Sequence, residues 1–247
     1  MKRYLRIVLL GLGCFALALL LRTPAEFAYH YLGNRLPGQL FDISGTVVKG
    51  QARGLAGNRI LLENVRWSLR PGALFKGRLE YGTKLTVGDG NLRARTALAW
   101  DGAYHLTEVE GNVALAPLLP AIVPIAGGID GRLSPDLELL RIDDGVLQAV
   151  RGQIRVNYLV LLQSPLVMLG NFVAEPEGDG PPWQLAVRDD GGPLRLTGRV
   201  SLSGAGSFEF DGLAGARDEQ GPVSGILNAL GVADQEGQRR IQFTGTL

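Results

Sequence analysis

The sequence has 247 residues, with 25 Lys and Arg against 24 Asp and Glu, and this net charge of +1 excludes nucleic-acid binding by bulk charge. At 46% hydrophobic the chain is not disordered, and its single cysteine rules out an intrachain disulfide or a cysteine-built zinc site. With 35 glycines and 13 prolines, the composition points to many short apolar elements separated by turns.

Residues 1–6 carry Lys2, Arg3 and Arg6 and read as a cytoplasmic tail under the positive-inside bias. Residues 7–21 (IVLLGLGCFALALLL) contain no polar side chain and read as a transmembrane signal anchor. The only small-x-small site after it is Thr23-Pro24-Ala25, which is poor for cleavage. Gly11 stands where a lipobox needs leucine, so Cys14 reads as a small apolar residue of the span. Residues 23–36 then form a short membrane-proximal helix. Thr23-x-x-Glu26 suggests a capping box, Pro24 suits the first helical position, and Phe27, Tyr29, Tyr31 and Leu32 suit the headgroup region.

Residues 37–247 read as a periplasmic β-domain. Apolar and polar residues alternate over 79–87, 154–160, 194–202 and 241–247. Weaker strand patterns cover 41–48, 59–69, 91–100, 103–115, 137–150, 183–188 and 206–213. Turn signals at Gly88-Asp89-Gly90-Asn91, Asp101-Gly102, Asp144-Gly145 and Asp190-Gly191-Gly192 leave no room for the helical crossovers of a parallel sheet. The expected fold is therefore mainly β: one N-terminal transmembrane helix, then a curved, predominantly antiparallel, Gly-rich sheet with few short helices. Helices are expected at Pro222–Leu230, around Ala116–Ile125, and from Ser164-Pro165, with 174–182 as a loop. Gly45-Thr46-Val47 with Val65–Leu69, against Gly131-Arg132-Leu133 with Gly152–Val156, leaves open a division into two similar halves.

The residues supply no catalytic, cofactor-binding or metal site. His30 and His105 have no ligand partner nearby in sequence, and there is no nucleophile elbow or P-loop. Asp143-Asp144 and Asp189-Asp190 are turn formers, and adjacent strand residues point to opposite faces, so neither is a ready carboxylate pair. Glu175, Glu177 and Asp179 read as a solvated acidic loop. Arginines occupy polar strand positions, among them Arg66, Arg93, Arg155 and Arg199. No enzyme and no cofactor are expected.

The pattern resembles the type II secretion system protein N family, also called general secretion pathway protein N. The resemblance rests on Gly45-Thr46, Gly50 and Ala52 after Leu36-Pro37, and on Val65-x-Trp67-x-Leu69-x-Pro71 followed by Leu74. It continues with Asp190-Gly191-Gly192-Pro193-Leu194-x-Leu196-x-Gly198, Leu227-x-x-Leu230-Gly231 and Gly245-Thr246-Leu247. Val48 and Lys49 depart from it, since the family favours an aromatic and a small polar residue there. The resemblance implies an accessory component of the bacterial cell inner membrane, single-pass, with its N-terminus cytoplasmic and its C-terminal domain periplasmic. It would scaffold or stabilise the machinery that exports folded periplasmic proteins across the outer membrane. Its partners would be other type II secretion subunits, the inner-membrane platform and the secretin link, with no nucleic acid. The alternative is a membrane-anchored β-groove protein that binds or transfers lipid.

Overall fold

The computed structural model describes residues 11, 19, 21–32, 39–57, 60–76, 78–99, 104–118, 128–143, 146–178, 180, 182–202 and 207–246. Among the described residues, period-two sequence and close-spaced turns become thirteen strands in one sheet, each paired with its neighbours in chain order. They are β1 (Gln39–Gly45), β2 (Lys49–Gly57), β3 (Ile60–Leu69), β4 (Arg78–Val87), β5 (Gly90–Ala99), β6 (Tyr104–Ala114), β7 (Ile129–Asp143), β8 (Val146–Leu161), β9 (Val167–Glu177), β10 (Trp183–Asp189), β11 (Leu194–Leu202), β12 (Ser207–Ala216) and β13 (Arg239–Thr246). Every pairing is antiparallel, as the short hairpin connections require, and the longer connections from β6 to β7 and from β12 to β13 keep the same sense. β1 and β13 do not pair, so the sheet is open rather than a barrel. Among the described residues the named helices are α1 (Ala25–Leu32) and α2 (Pro222–Leu230), with a 3-10 turn at Pro71–Lys76.

Register sorts the side chains into two faces. One row runs Leu69, Tyr81, Thr96, Leu106, Leu140 and Val150 across β3–β8. A second runs Ile154, Ala174, Val187, Gly198, Gly212 and Ile241 across β8–β13. Directly opposed residues share a face, so the sheet has one largely apolar inner face. The outer face carries Arg66, Lys84, Arg93, Arg155, Arg188, Arg199 and Arg240. Valines there lie under arginine stems: Val173 is buried while registered with Arg155 and Arg188.

Register shifts interrupt β3–β4 between Glu63 and Arg66, β5–β6 between Arg93 and Arg95, and β8–β9 between Val156 and Leu159. Asn64, Glu108 and Tyr158 hold left-handed backbone at these places, with φ of 49°, 49° and 54°. Each extra residue bends its strand and resets the alternation that follows.

The helices cover the two ends of the inner face. α2 has Pro222 in its first turn and Gly231 at its C-cap, and it seats Val223 and Leu227 against Val167 and Ala214. Leu161, Leu169, Leu194, Leu196 and Ile241 pack around that cluster. α1 reaches β1 through the Tyr29 hydroxyl, which accepts from the Leu40 amide at 3.0 Å. The expected capping box is replaced: the Thr23 hydroxyl donates to the Leu19 carbonyl at 2.8 Å, because helical residues precede it and offer an oxygen four positions back.

Three further expectations change. No helix starts at Ser164-Pro165; Val167–Glu177 is β9, which also takes up the front of the expected 174–182 loop. Its Phe172 and Val173 are both buried, one on each face, and a strand buried on both sides loses the period-two signal. The 137–150 pattern belongs to two strands, β7 and β8. β2 (KGQARGLAG) has no apolar alternation of its own and is held by β1 and β3. Among the described residues no helix is long and apolar enough to cross a membrane. Most of the expected anchor at 7–21 lies outside those residues, as does most of Ala116–Ile125.

Candidate functional site

The residues of the first two resembling signatures meet in space. Gly50 and Trp67 are direct cross-strand partners, as are Ala52 and Val65. A Cβ on Gly50 would lie 2.4 Å from the Trp67 ring, so only glycine lets the indole lie flat on β2. The Trp67 indole donates to the Thr46 carbonyl at 3.2 Å, and the Leu69 amide donates to the Val48 carbonyl at 2.6 Å. The Val47 amide donates to the Thr23 carbonyl at 3.1 Å, tying this corner to the entry of α1. The first two signatures are thus one structural unit where the chain leaves α1 and enters the sheet.

Beside this unit lies an apolar hollow of about 280 Å³. Ala25, Ala28 and Tyr29 of α1 form one wall, and Leu40, Val65, Trp67, Tyr81 and Thr96 form the other. Burial there raises the Tyr81 phenol above its ordinary pKa, since the phenolate would lose its hydration.

The outer face is polar. A hollow of about 760 Å³ is lined by Asn64, Arg66, Lys84, Arg93, Glu110 and Asn112 among others. Arg66 lies opposite Lys84, and Lys84 opposite Arg93. Farther along, Arg188 grips Glu175 in a bidentate pair at 3.1 and 2.8 Å. Arg199 meets Glu177 at 2.6 Å, which raises the guanidinium pKa. Arg240 holds Asp211 at 2.9 and 2.6 Å and lowers its carboxyl below the ordinary carboxylate range.

These contacts place the residues singled out in sequence. Glu175 and Glu177 stand in β9 and hold arginines, so they are strand ion-pair partners rather than members of a free acidic loop; Asp179 lies outside the described residues. Asp189 accepts from Arg217 and from the Leu196 amide at 3.1 Å, fixing the β10–β11 turn. His30 is exposed on α1, its ring edge-on to Tyr31 at 5.4 Å. His105 sits in β6 between Ala97 and Arg141. Among the described residues no three His, Cys, Asp or Glu side chains lie together as a metal site would require. Alternation shows which arginines face out, but the charge order across strands needs the register, so sequence reasoning missed it.

At the far end, β13 pairs only with β12 among the described residues. Phe243 stacks on Phe210 at 4.9 Å and meets Phe208 edge-on at 6.1 Å, fixing the last strand to the sheet. The described residues thus present an apolar face, a charged face and a last strand with one described neighbour.

No curated protein and no solved structure matched the chain. A family model described as type II secretion system (T2SS), protein N, matched residues 39–242.

Proposed function

Because the chain belongs to the type II secretion system protein N family and is thereby a component of that secretion system, we propose that it is an accessory inner-membrane subunit working through non-covalent contacts. In this reading residues 7–21 anchor it and the sheet lies in the periplasm. There it scaffolds or stabilises the platform and its link to the secretin during export of folded proteins. The observation that carries the reading is the open end of the sheet. Among the described residues β13 has a neighbour on one side only, and its outward backbone groups can bond the strand of another subunit. Deleting the gene should sharply lower the amount of a reporter exoprotein in the culture medium, and supplying the full chain should restore it. Undiminished secretion in the deletion strain would refute the role.

The apolar face supports a second reading, a membrane-anchored groove that binds or transfers lipid. The specific support is the hollow between α1 and β1–β5, whose walls are almost entirely apolar. Mass spectrometry of the detergent-extracted full chain should then find about one phospholipid per protein. A lipid-free preparation rules this reading out.

A further inference from the structure

The outer face carries a charge order that the scaffold role does not explain. Across β3, β4 and β5, Arg66, Lys84 and Arg93 lie side by side in direct register. Arg93 then faces Glu110 of β6, Glu110 faces Asp136 of β7, and Asp136 faces Gln153 of β8. The row reads cation, cation, cation, carboxylate, carboxylate, amide. Like charges directly opposite one another weaken a sheet, and this row contains three such neighbours. Among the described residues, Arg66, Lys84, Arg93 and Glu110 make no ion pair. All four are exposed. The contrast is with this row alone: Arg95 beside it pairs with Glu108, and at the other end of the face Arg188, Arg199 and Arg240 each hold a carboxylate.

A row ordered this way complements itself. Give a second copy a half-turn about an axis that runs along the strands between β5 and β6. Arg93 of one copy then meets Glu110 of the other, Lys84 meets Asp136, and Arg66 meets Gln153. On one side the next row, Ser68, Gly82, Arg95, Thr107, Leu139 and Arg151, puts no like charges together under the half-turn, and on the other side the next row obeys the same rule. Glu63, in register with Thr86, Asn91 and Asn112, stands at the β3 end, and Arg155, in register with Ser134, stands at the β8 end. The half-turn brings Glu63 to Arg155.

We propose that the outer face of β3–β8 is the interface of a two-fold dimer of this chain. Such an interface is isologous, the same patch serving both copies. Six strands at a spacing of ~4.8 Å span ~24 Å, so each copy buries on the order of 400 Å², half of a standard interface. The dimer is accordingly weak and salt-sensitive, and it belongs where two chains share one membrane and their effective concentration is high. The inference rests on the reading of the protein as an interaction subunit and deepens it by naming a second copy as a partner.

The test uses the full-length chain in detergent at low salt with a zero-length carbodiimide cross-linker. Lys84 and Asp136 lie three strands apart in one chain, ~14 Å, too far for that reagent. A Lys84–Asp136 cross-linked peptide in a species of twice the monomer mass is the expected result, and it should fade as salt rises. Lys84→Glu should cut dimer formation about tenfold, since symmetry spoils the contact twice. The double variant Lys84→Glu/Asp136→Lys should restore it. Unfolding does not account for the loss: each substitution relieves repulsion within its own chain, so the thermal midpoint should hold or rise. A chain that stays monomeric at every salt and protein concentration overturns the proposal. So does a double variant that stays as weak as Lys84→Glu, because that pattern means a different partner. Dimerisation is read on the purified chain alone, so its failure leaves the secretion role standing, and a deletion strain that secretes normally leaves the dimer result standing.

Discussion

At the scale of single residues, stability in this sheet depends on aromatic rings lying over glycines. Trp67 covers Gly50, Phe210 lies across the Gly198–Gly212 pair, and Phe208 covers Gly245; an added Cβ would come within 2.4–2.7 Å of the ring in each case. Trp67→Ala should lower stability by about 3 kcal/mol, because it uncovers β2 and removes the bond to Thr46. Chemical denaturation of the full chain measures this. Asp211 gives a pH-dependent counterpart. Arg240 lowers its folded pKa below the unfolded value, so its contribution is complete above that unfolded value, near ~4, and disappears as pH falls through the folded one. Asp211→Asn should therefore melt slightly below the wild type at neutral pH, and the two should converge in strong acid. The glycines were visible in the sequence, Gly198 even at its in-register apolar position. The rings over Gly50, Gly198 and Gly245 were not, because Trp67, Phe210 and Phe208 come from neighbouring strands and register is a property of the folded sheet.

At the scale of elements, legibility followed burial pattern. β4 and β11 have one wet and one dry side and declare themselves by alternation, and α2 declares itself by Pro222 and Gly231. β9 fails that test because Phe172 and Val173 are buried on opposite faces, and Ser164-Pro165 just before it imitates a helix start. β2 has only Ala52, Leu55 and Ala56 as apolar side chains, so neighbours rather than its own pattern make it a strand. Among the described residues α2 adds a layer at the C-terminal end, and Leu227 is its deepest long side chain, 3% exposed in the cluster with Val167 and Ala214. Leu227→Ala should cost about 3 kcal/mol and loosen β12 and β13 first. Hydrogen exchange should then show amides of Ser207–Ala216 and Arg239–Thr246 losing protection before those of β4 and β5. Equal loss across the sheet would mean that α2 does not act locally.

At the scale of the whole molecule, the thirteen strands of the described residues follow one another across the sheet in chain order. Alternation and turn spacing predicted the antiparallel sheet, and the glycine signatures pointed to the family. The charge order across β3–β8 and the openness of the sheet emerge only when the strands are aligned. Each of these features suits contact: the β13 edge, which has no second neighbour among the described residues, the apolar hollow beside α1, and the ordered charges of the outer face. The central claim is that the chain works by binding other parts of the secretion machine. Cross-linking a tagged full-length chain in intact, secreting cells, then purifying it from the membrane, tests this directly. The account predicts that type II secretion subunits of the platform or secretin link are covalently attached, and that removing β13 reduces them. Recovery of well-expressed chain with no secretion subunit attached would contradict it.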